Sequence, residues 1–304
     1  MKKKMEARAY FVTGGAGFIG AAVVNKLLLQ GNKVTVFDNC SRGRAERLNL
    51  DHPNLTFHQG DVRNQNDIDS AISGCDSIIH LAYINGTEFF YQKPDLILDV
   101  GIRGMLAILD AGEKAGIRDF VLASSSEVYQ DPGIYPTPEE VELRVPDVQN
   151  PRYSYGGGKI ACELLLLNRP AKLYDRRCIF RPHNIFGPDM GAEHVVPQLI
   201  AKVVAAEGLS KRGGRLGIVE IQGDGSQQRS FMFIDDFVEA IAQILDHGKD
   251  KEVFHVGTKE EMSIIDLLKL IQEQLGVKQD VVRGELPRGG VMRRCPDITK
   301  LQGL

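Results

Sequence analysis

Thr13-Gly14-Gly15-Ala16-Gly17-Phe18-Ile19-Gly20 stands between two patterns of different period. Before it, residues 8–13 (Arg-Ala-Tyr-Phe-Val-Thr) read as a short buried strand. After it, Ala21 to Gln30 read as an apolar-periodic helix. Gly14, Gly17 and Gly20 therefore fall on a strand-to-helix turn at three-residue spacing. Such glycines allow a tight turn, close approach of backbone to a pyrophosphate, and close packing of helix on strand. The helix N-terminus then turns its positive dipole end toward the phosphates. A glycine-rich loop alone is weak evidence; the flanking strand and helix supply the context it needs. The next strand, Lys33 to Phe37, ends at Asp38. An acidic residue about 20 positions after such a loop accepts the adenosine ribose hydroxyls and repels a 2′-phosphate. NAD is expected over NADP, with Arg42 and Arg44 as the opposing signal.

The alternation continues. Leu55 to Gln59, Asp76 to Leu81 and Asp119 to Ala123 read as strands, and residues 64–73 and 95–115 as helices. Arg152 to Asn168 reads as a helix and Arg177 to Arg181 as a sixth strand. This is the pattern of an α/β chain, a Rossmann-type doubly wound parallel sheet covered on both faces. Ligands bind at the carboxyl ends of such strands. Asp61 and Val62, His80-Leu81-Ala82 and Ser124-Ser125-Ser126 fall at those ends. Loop capping is the other reading of Asp61 and His80. Tyr155 and Lys159 stand four apart, which stacks them on one helix face. A neighbouring ammonium favours a phenolate and makes tyrosine a better base.

Composition narrows the function. The 304 residues are 43% hydrophobic, enough for one large core or two joined ones. A net charge of −3 gives no basic footprint for nucleic acid. Lys2-Lys3-Lys4 reads as a solvated start, and no apolar run is long enough to span a membrane. The five scattered cysteines read as reduced thiols, so a cytoplasmic location is expected. The seven histidines show no metal-ligand spacing, and no metal site is expected.

Motifs along most of the chain resemble the extended short-chain dehydrogenase/reductase family, in particular its nucleotide-sugar epimerases, dehydratases and decarboxylases. They are the loop at 13–20, Asp38-Asn39, Gly60-Asp61-Val62, His80-Leu81-Ala82, the run from Ser124 to Tyr129, Tyr155 with Lys159, and Arg181 to Pro188. Gly223 to Gln227, Arg229-Ser230-Phe231, Asp235-Asp236 and Pro296 to Lys300 complete the series. The resemblance implies that Tyr155 takes a proton from a sugar hydroxyl. Lys159 would hold the nicotinamide ribose and lower the Tyr155 pKa, and Ser125 would bind the reacting oxygen. It implies NAD contacts from Gly14, Gly17, Phe18, Ile19, Asp38, Asn39, Asp61, Val62, Leu81, Ala82, Tyr155 and Lys159. Ser126, Asn184, Arg229 and Arg293 are implied to face a nucleoside-diphosphate sugar. Four features depart from the pattern: Tyr83 for a common Ala, Gly101 for an Asn, Gln130 for a Gly, and the glycine run 156–158 in the active helix.

Residues 131–150 read as a surface loop, and His194 opens a helix running toward Glu207. Residues 208–217, with Lys211, Arg212 and Arg215, read as an exposed basic loop. Ile218 to Ile221 and Phe231 to Ile234 read as strands, and 235–247 and 263–275 as helices. The resemblance implies an NAD domain over 1–182, with segments around 227–258 returning to it. Residues 183–304 would be mainly a smaller C-terminal α/β substrate subdomain. A homodimer is typical of relatives. The expected activity is NAD-dependent nucleotide-sugar epimerisation through a 4-keto sugar. A decarboxylase-like or 4,6-dehydratase-like enzyme using Glu127 is the alternative, with Ser126 standing where dehydratases carry their Asp. Glu127 otherwise reads as a solvated loop residue or as a carbon base for C3 or C5 epimerisation. A net dehydrogenase that releases its cofactor, and an inactive sugar-nucleotide-binding protein, are the readings from other classes.

Overall fold

The computed structural model describes residues 7–213, 216–286 and 288–304. The first half runs β1 (Ala9–Thr13), α1 (Phe18–Leu29), β2 (Lys33–Asp38), β3 (Leu55–Gln59), α2 (Gln65–Ala71), β4 (Ser77–His80), α3 (Thr87–Gln92), α4 (Pro94–Lys114) and β5 (Asp119–Ala123). Then follow α5 (Ser154–Leu167), β6 (Arg176–Pro182), β7 (Ile185–Phe186), α6 (Val195–Gly213), β8 (Ile218–Ile221), β9 (Gln228–Ser230), β10 (Met232–Phe233) and α7 (Ile234–His247). The chain closes with β11 (Val253–Val256), β12 (Glu261–Ser263), α8 (Ile264–Gln274), β13 (Asp280–Arg283), β14 (Arg293–Arg294) and α9 (Thr299–Gln302).

Seven strands form one parallel sheet in the order β11-β6-β5-β4-β1-β2-β3. The order reverses between β1 and β4, and a crevice at the strands' carboxyl ends follows from that reversal. The period of two along each strand divides the core. Val12, Val36, Ile79, Val121 and Phe180 face α1 and α7. Their neighbours Phe11, Phe37, Ile78, Phe120 and Ile179 face α2, α4 and α5. Each such side chain, fully buried, contributes about 1.5–3 kcal/mol. A separate cluster around Val203, Val219, Ile221 and Leu268 joins α6, α8 and β8. β12-β9-β14 and β13-β8 make small sheets in this later part.

Several boundaries differ from the sequence reading. α1 starts at Phe18, because the extended Gly17 is already its N-cap and the loop's last glycine lies in the first turn. α5 starts at Ser154, after a short 3₁₀ turn, Pro151–Tyr153, capped by the Asn150 side chain. Residues 208–213 are not a loop; α6 runs on through Gly208 to Gly213. A glycine there weakens a helix by only about 1 kcal/mol. Arg215 and the Lys2-Lys3-Lys4 run lie outside the described residues. The strand expected over Phe231–Ile234 is shortened to β10, a separate β9 precedes it, and Ile234 already belongs to α7. The acidic Asp235 and Asp236 in its first turn favour a helix start there.

Candidate active site

The glycine loop leaves β1 and folds under the end of β4. Gly14 has φ of 70°, a conformation glycine adopts without strain. A Cβ there would lie 2.7 Å from the Ala82 nitrogen. The amides of Leu81 and Ala82 each donate to Thr13 Oγ1 at 3.2 Å, which locks the two strand ends together. Thr13 Oγ1 also meets His80 Nδ1 at 2.7 Å, so the buried His80 is a brace within the sheet. The first turn of α1, where Phe18 and Ile19 sit, has no side-chain cap and no acidic residue. Its N–H groups are free for an anion, and this cradle fits a dinucleotide pyrophosphate. Asp38 is buried at the end of β2. Its two oxygens accept from the Ala16 and Cys40 amides, at 3.0 and 2.8 Å, and keep lone pairs for ribose hydroxyls. Asn39 Nδ2 donates to Asp61 at 3.2 Å. Asp61 is held to about 2 by Arg63, whose guanidinium donates to both of its oxygens. Val62 packs beside Gly104, where its methyl would lie 2.8 Å from a Cβ.

Tyr155 and Lys159 share the buried face of α5, and Ser125 lies just beyond β5. The Tyr155 ring stacks on Phe90 at 4.8 Å and meets Tyr83 edge-on at 5.2 Å. Burial pushes the Tyr155 phenol above its ordinary value, and the neighbouring Ser125 hydroxyl pulls the other way. Burial thus outweighs the lowering expected from Lys159. The Lys159 ammonium donates to the Ala123 carbonyl at 2.6 Å and lies over the Tyr83 ring, 5.9 Å from the Tyr155 centroid. Burial lowers Lys159 itself to about 8.

Glu127 is not a solvated loop residue. Arg152 Nη2 donates to both of its oxygens, at 3.2 and 3.0 Å, and Arg294 Nη1 donates to one at 2.5 Å. Burial alone would raise this carboxyl, yet Arg294 and Arg152 outweigh it and hold it at about 2. Arg229 lies in the same field; burial lowers it to about 10, with Arg294 adding repulsion. Two guanidinium groups thus grip one carboxylate, with Arg229 in their field. Arg152 Nη1 and Arg294 Nε and Nη2 are buried without an acceptor among the described residues. Unpaired charged donors are costly in such a place, and an anion relieves them.

The other expected substrate residues are placed unequally. Ser126 is buried beside Ser125. Asn184, at φ of 45°, donates from its side chain to the Ser230 carbonyl at 3.0 Å. Arg229 donates to the Val291 carbonyl at 2.6 Å. Arg293 is not brought to the cluster: it pairs with Glu261 at 2.8 and 2.6 Å and covers the Tyr135 ring. Successive strand residues point to opposite faces, so on β14 Arg293 points away and Arg294 points in. The 131–150 loop holds that segment through the Thr137 amide to the Cys295 carbonyl (2.8 Å) and the Asp297 amide to the Thr137 carbonyl (2.8 Å). Sequence reasoning missed Arg152, three positions before Tyr155. It also left Tyr83 and Gln130 as unexplained departures.

Comparison with known proteins fits this geometry. The sequence model of the NAD dependent epimerase/dehydratase family matches residues 10–257. A UDP-glucose 4-epimerase of Mycolicibacterium smegmatis is 32% identical over 293 residues, covering 93% of this chain and 87% of that one. UDP-glucuronic acid decarboxylase 4 of Arabidopsis thaliana is 30% identical over 299 residues; the match covers 96% of this chain but 63% of that longer protein. The crystal structure of a UDP-glucose 4-epimerase from Thermotoga maritima with UDP-glucose superposes with a TM-score of 0.83 at 27% identity, covering 97% of this chain and 91% of that one. The chain belongs to the NAD dependent epimerase/dehydratase family, and NAD is its cofactor.

Proposed function

We propose that this protein is a nucleotide-sugar 4-epimerase that works through a transient 4-keto sugar and recycles its NAD. One observation carries the reading: Tyr155 shares the buried face of α5 with Lys159 and has Ser125 beside it, while the carboxylate in its field, Glu127, is pinned by Arg152 and Arg294. NAD supplies the acceptance and return of hydride. Tyr155 takes the C4 hydroxyl proton and later returns it. Ser125 holds the reacting oxygen, and Lys159 supports the pair and the nicotinamide ribose. Inversion at C4 needs no further acid or base. Glu127, ionised but committed to two arginines, is an anchor in this reading and a poor carbon base. The unfilled donors of Arg152 and Arg294, with Arg229 behind them, suit the diphosphate of the substrate.

A second reading is decarboxylation of a nucleotide uronic acid. The positive surplus beside Glu127 favours it, since the same donors suit a substrate carboxylate. The relatives that are UDP-glucuronic acid decarboxylases point the same way. Loss of water across C5 and C6, giving a 4-keto-6-deoxy sugar, is disfavoured by Ser126 in place of an acid, and a pure binding role by the intact Ser125, Tyr155 and Lys159. Purified protein with catalytic NAD and a panel of nucleotide sugars, uronic acids included, decides between them. A product of unchanged mass and new chromatographic retention supports the epimerase. Loss of carbon dioxide establishes the second reading, and consumption of stoichiometric NAD overturns both.

We also infer a homodimer through the outer faces of α4 and α5. Leu98, Leu106 and Leu164 are exposed there and continue into a groove lined by Ile102, Ala161 and Leu165. Residues 183–304 supply most of the substrate side in this reading.

A further inference from the structure

Three of the departures noted in the sequence meet at one point. Tyr83 enters from the end of β4 and lies between α4 and α5. A Cβ on Gly101 would fall 2.5 Å from its ring carbon Cζ and 2.6 Å from Cε2, and a Cβ on Gly158 would collide with its hydroxyl. The large residue and the two glycines are therefore one exchange of volume: the helices have surrendered side chains where the ring sits. The Lys159 nitrogen lies 4.0 Å from the centroid of that ring, well within the reach of a cation–π contact. The same ring meets Tyr155 edge-on. The Tyr83 hydroxyl is buried and has no partner among the described residues, so its face, not its hydroxyl, is what the ring offers the lysine.

We propose that Tyr83 is a positioning residue for the catalytic lysine, its aromatic face holding the Lys159 ammonium charged and aimed at the reacting tyrosine. This rests on the reading of Tyr155 and Lys159 as the reacting pair. The groups facing the ammonium are Tyr83 and His80 from the β4 end, Tyr155, Cys162 and Glu163 from α5, and the Ala123 carbonyl from β5. His80 is buried and driven far below the ordinary histidine value by burial, then by Lys159, so it carries no charge. Glu163 is committed to Arg181 through two hydrogen bonds, at 2.9 and 2.6 Å. The Ala123 carbonyl and the Tyr83 ring are thus the neighbours that favour the charged lysine, and of the two only the ring is a side chain that substitution can remove.

The test reads the lysine directly, in NAD-bound protein carrying isotope-labelled lysine. The Lys159 ammonium is assigned with Lys159→Arg and followed by NMR from neutral to alkaline pH. Tyr83→Leu keeps the site apolar but removes the face, and its Lys159 midpoint falls by about half to one unit. Tyr83→Phe retains the wild-type midpoint. Gly101→Ala keeps the tyrosine but displaces its ring, and shifts the midpoint in the same direction as Tyr83→Leu; it also serves should Tyr83→Leu fail to fold. A wild-type midpoint in Tyr83→Leu or Gly101→Ala overturns the proposal, and so does a fall in Tyr83→Phe equal to that in Tyr83→Leu. No sugar enters the measurement. Failure of the substrate panel therefore leaves this result standing, and failure here leaves the reaction untouched.

Discussion

Tyr155 meets its work from an unfavourable starting point, since burial holds its proton on. Removal of that hydroxyl by Tyr155→Phe lowers turnover by about 10²–10⁴-fold, the usual contribution of a positioned acid–base group, while NADH binding read by fluorescence is kept. In the proposed mechanism Lys159 sets the alkaline limit. Its charged form is the useful one, and burial has brought its pKa down to about 8. The kcat/KM profile therefore falls as pH rises through about 8. A profile flat into strongly alkaline solution contradicts that role. Glu127 makes a different kind of prediction. Its folded-state pKa of about 2 lies below the ordinary carboxyl value, so its stabilisation is complete above that ordinary value and is lost as pH falls toward 2. Glu127→Gln leaves Arg152 and Arg294 unbalanced and destabilises the fold by about 3–5 kcal/mol. Its acid-unfolding curve, followed by circular dichroism, loses the wild-type fall across that window.

At the scale of the element, α5 carries three glycines that are not equivalent. A Cβ on Gly156 would lie 2.6 Å from Gln130 Nε2 and 2.7 Å from the Glu127 carbonyl. Gln130 and Gly156 are thus a second exchange of volume, and Gly156→Ala lowers the melting temperature. A Cβ on Gly157 meets only a methyl of Val145, at 3.3 Å, and Val145 is an exposed loop residue free to move. Gly157→Ala therefore stabilises the helix by about 0.5–1 kcal/mol, read as a small rise in melting temperature. The sequence announced that something approached this turn, because three glycines are costly in a helix. It could not announce what approached, since Tyr83 and Gln130 lie 75 and 28 positions upstream of Gly158. Arg293 and Arg294 show the same limit. Only the register of a two-residue strand decides which of two adjacent arginines turns inward, and two residues carry no period to read.

For the whole molecule, the long parallel strands and their covering helices were legible because they are continuous apolar runs or carry a clear helical period. The later part was legible in its helices but not in its pairings. β12, β13 and β14 are 2–4 residues long and owe their existence to partners distant in the chain. The apolar face shared by α4 and α5 supports the last prediction. Light scattering of the wild type gives twice the chain mass, and the pair Leu106→Glu with Leu164→Glu, both changes at exposed positions, gives a monomer of unchanged circular dichroism.

The edge strand of the large sheet is β11, laid against β6 and reinforced where buried Arg177 grips Asp250. Seen from the ribosome, this arrangement sets a timetable. The nucleotide half is translated early, yet its sheet stays one strand short until about four-fifths of the chain has been made. Until then β6 offers an open hydrogen-bonding edge, the kind of surface that recruits chaperones or neighbouring nascent chains. Completion of the cofactor cradle's own sheet is thereby tied to synthesis of α6, β8 and α7, which precede β11 in the chain.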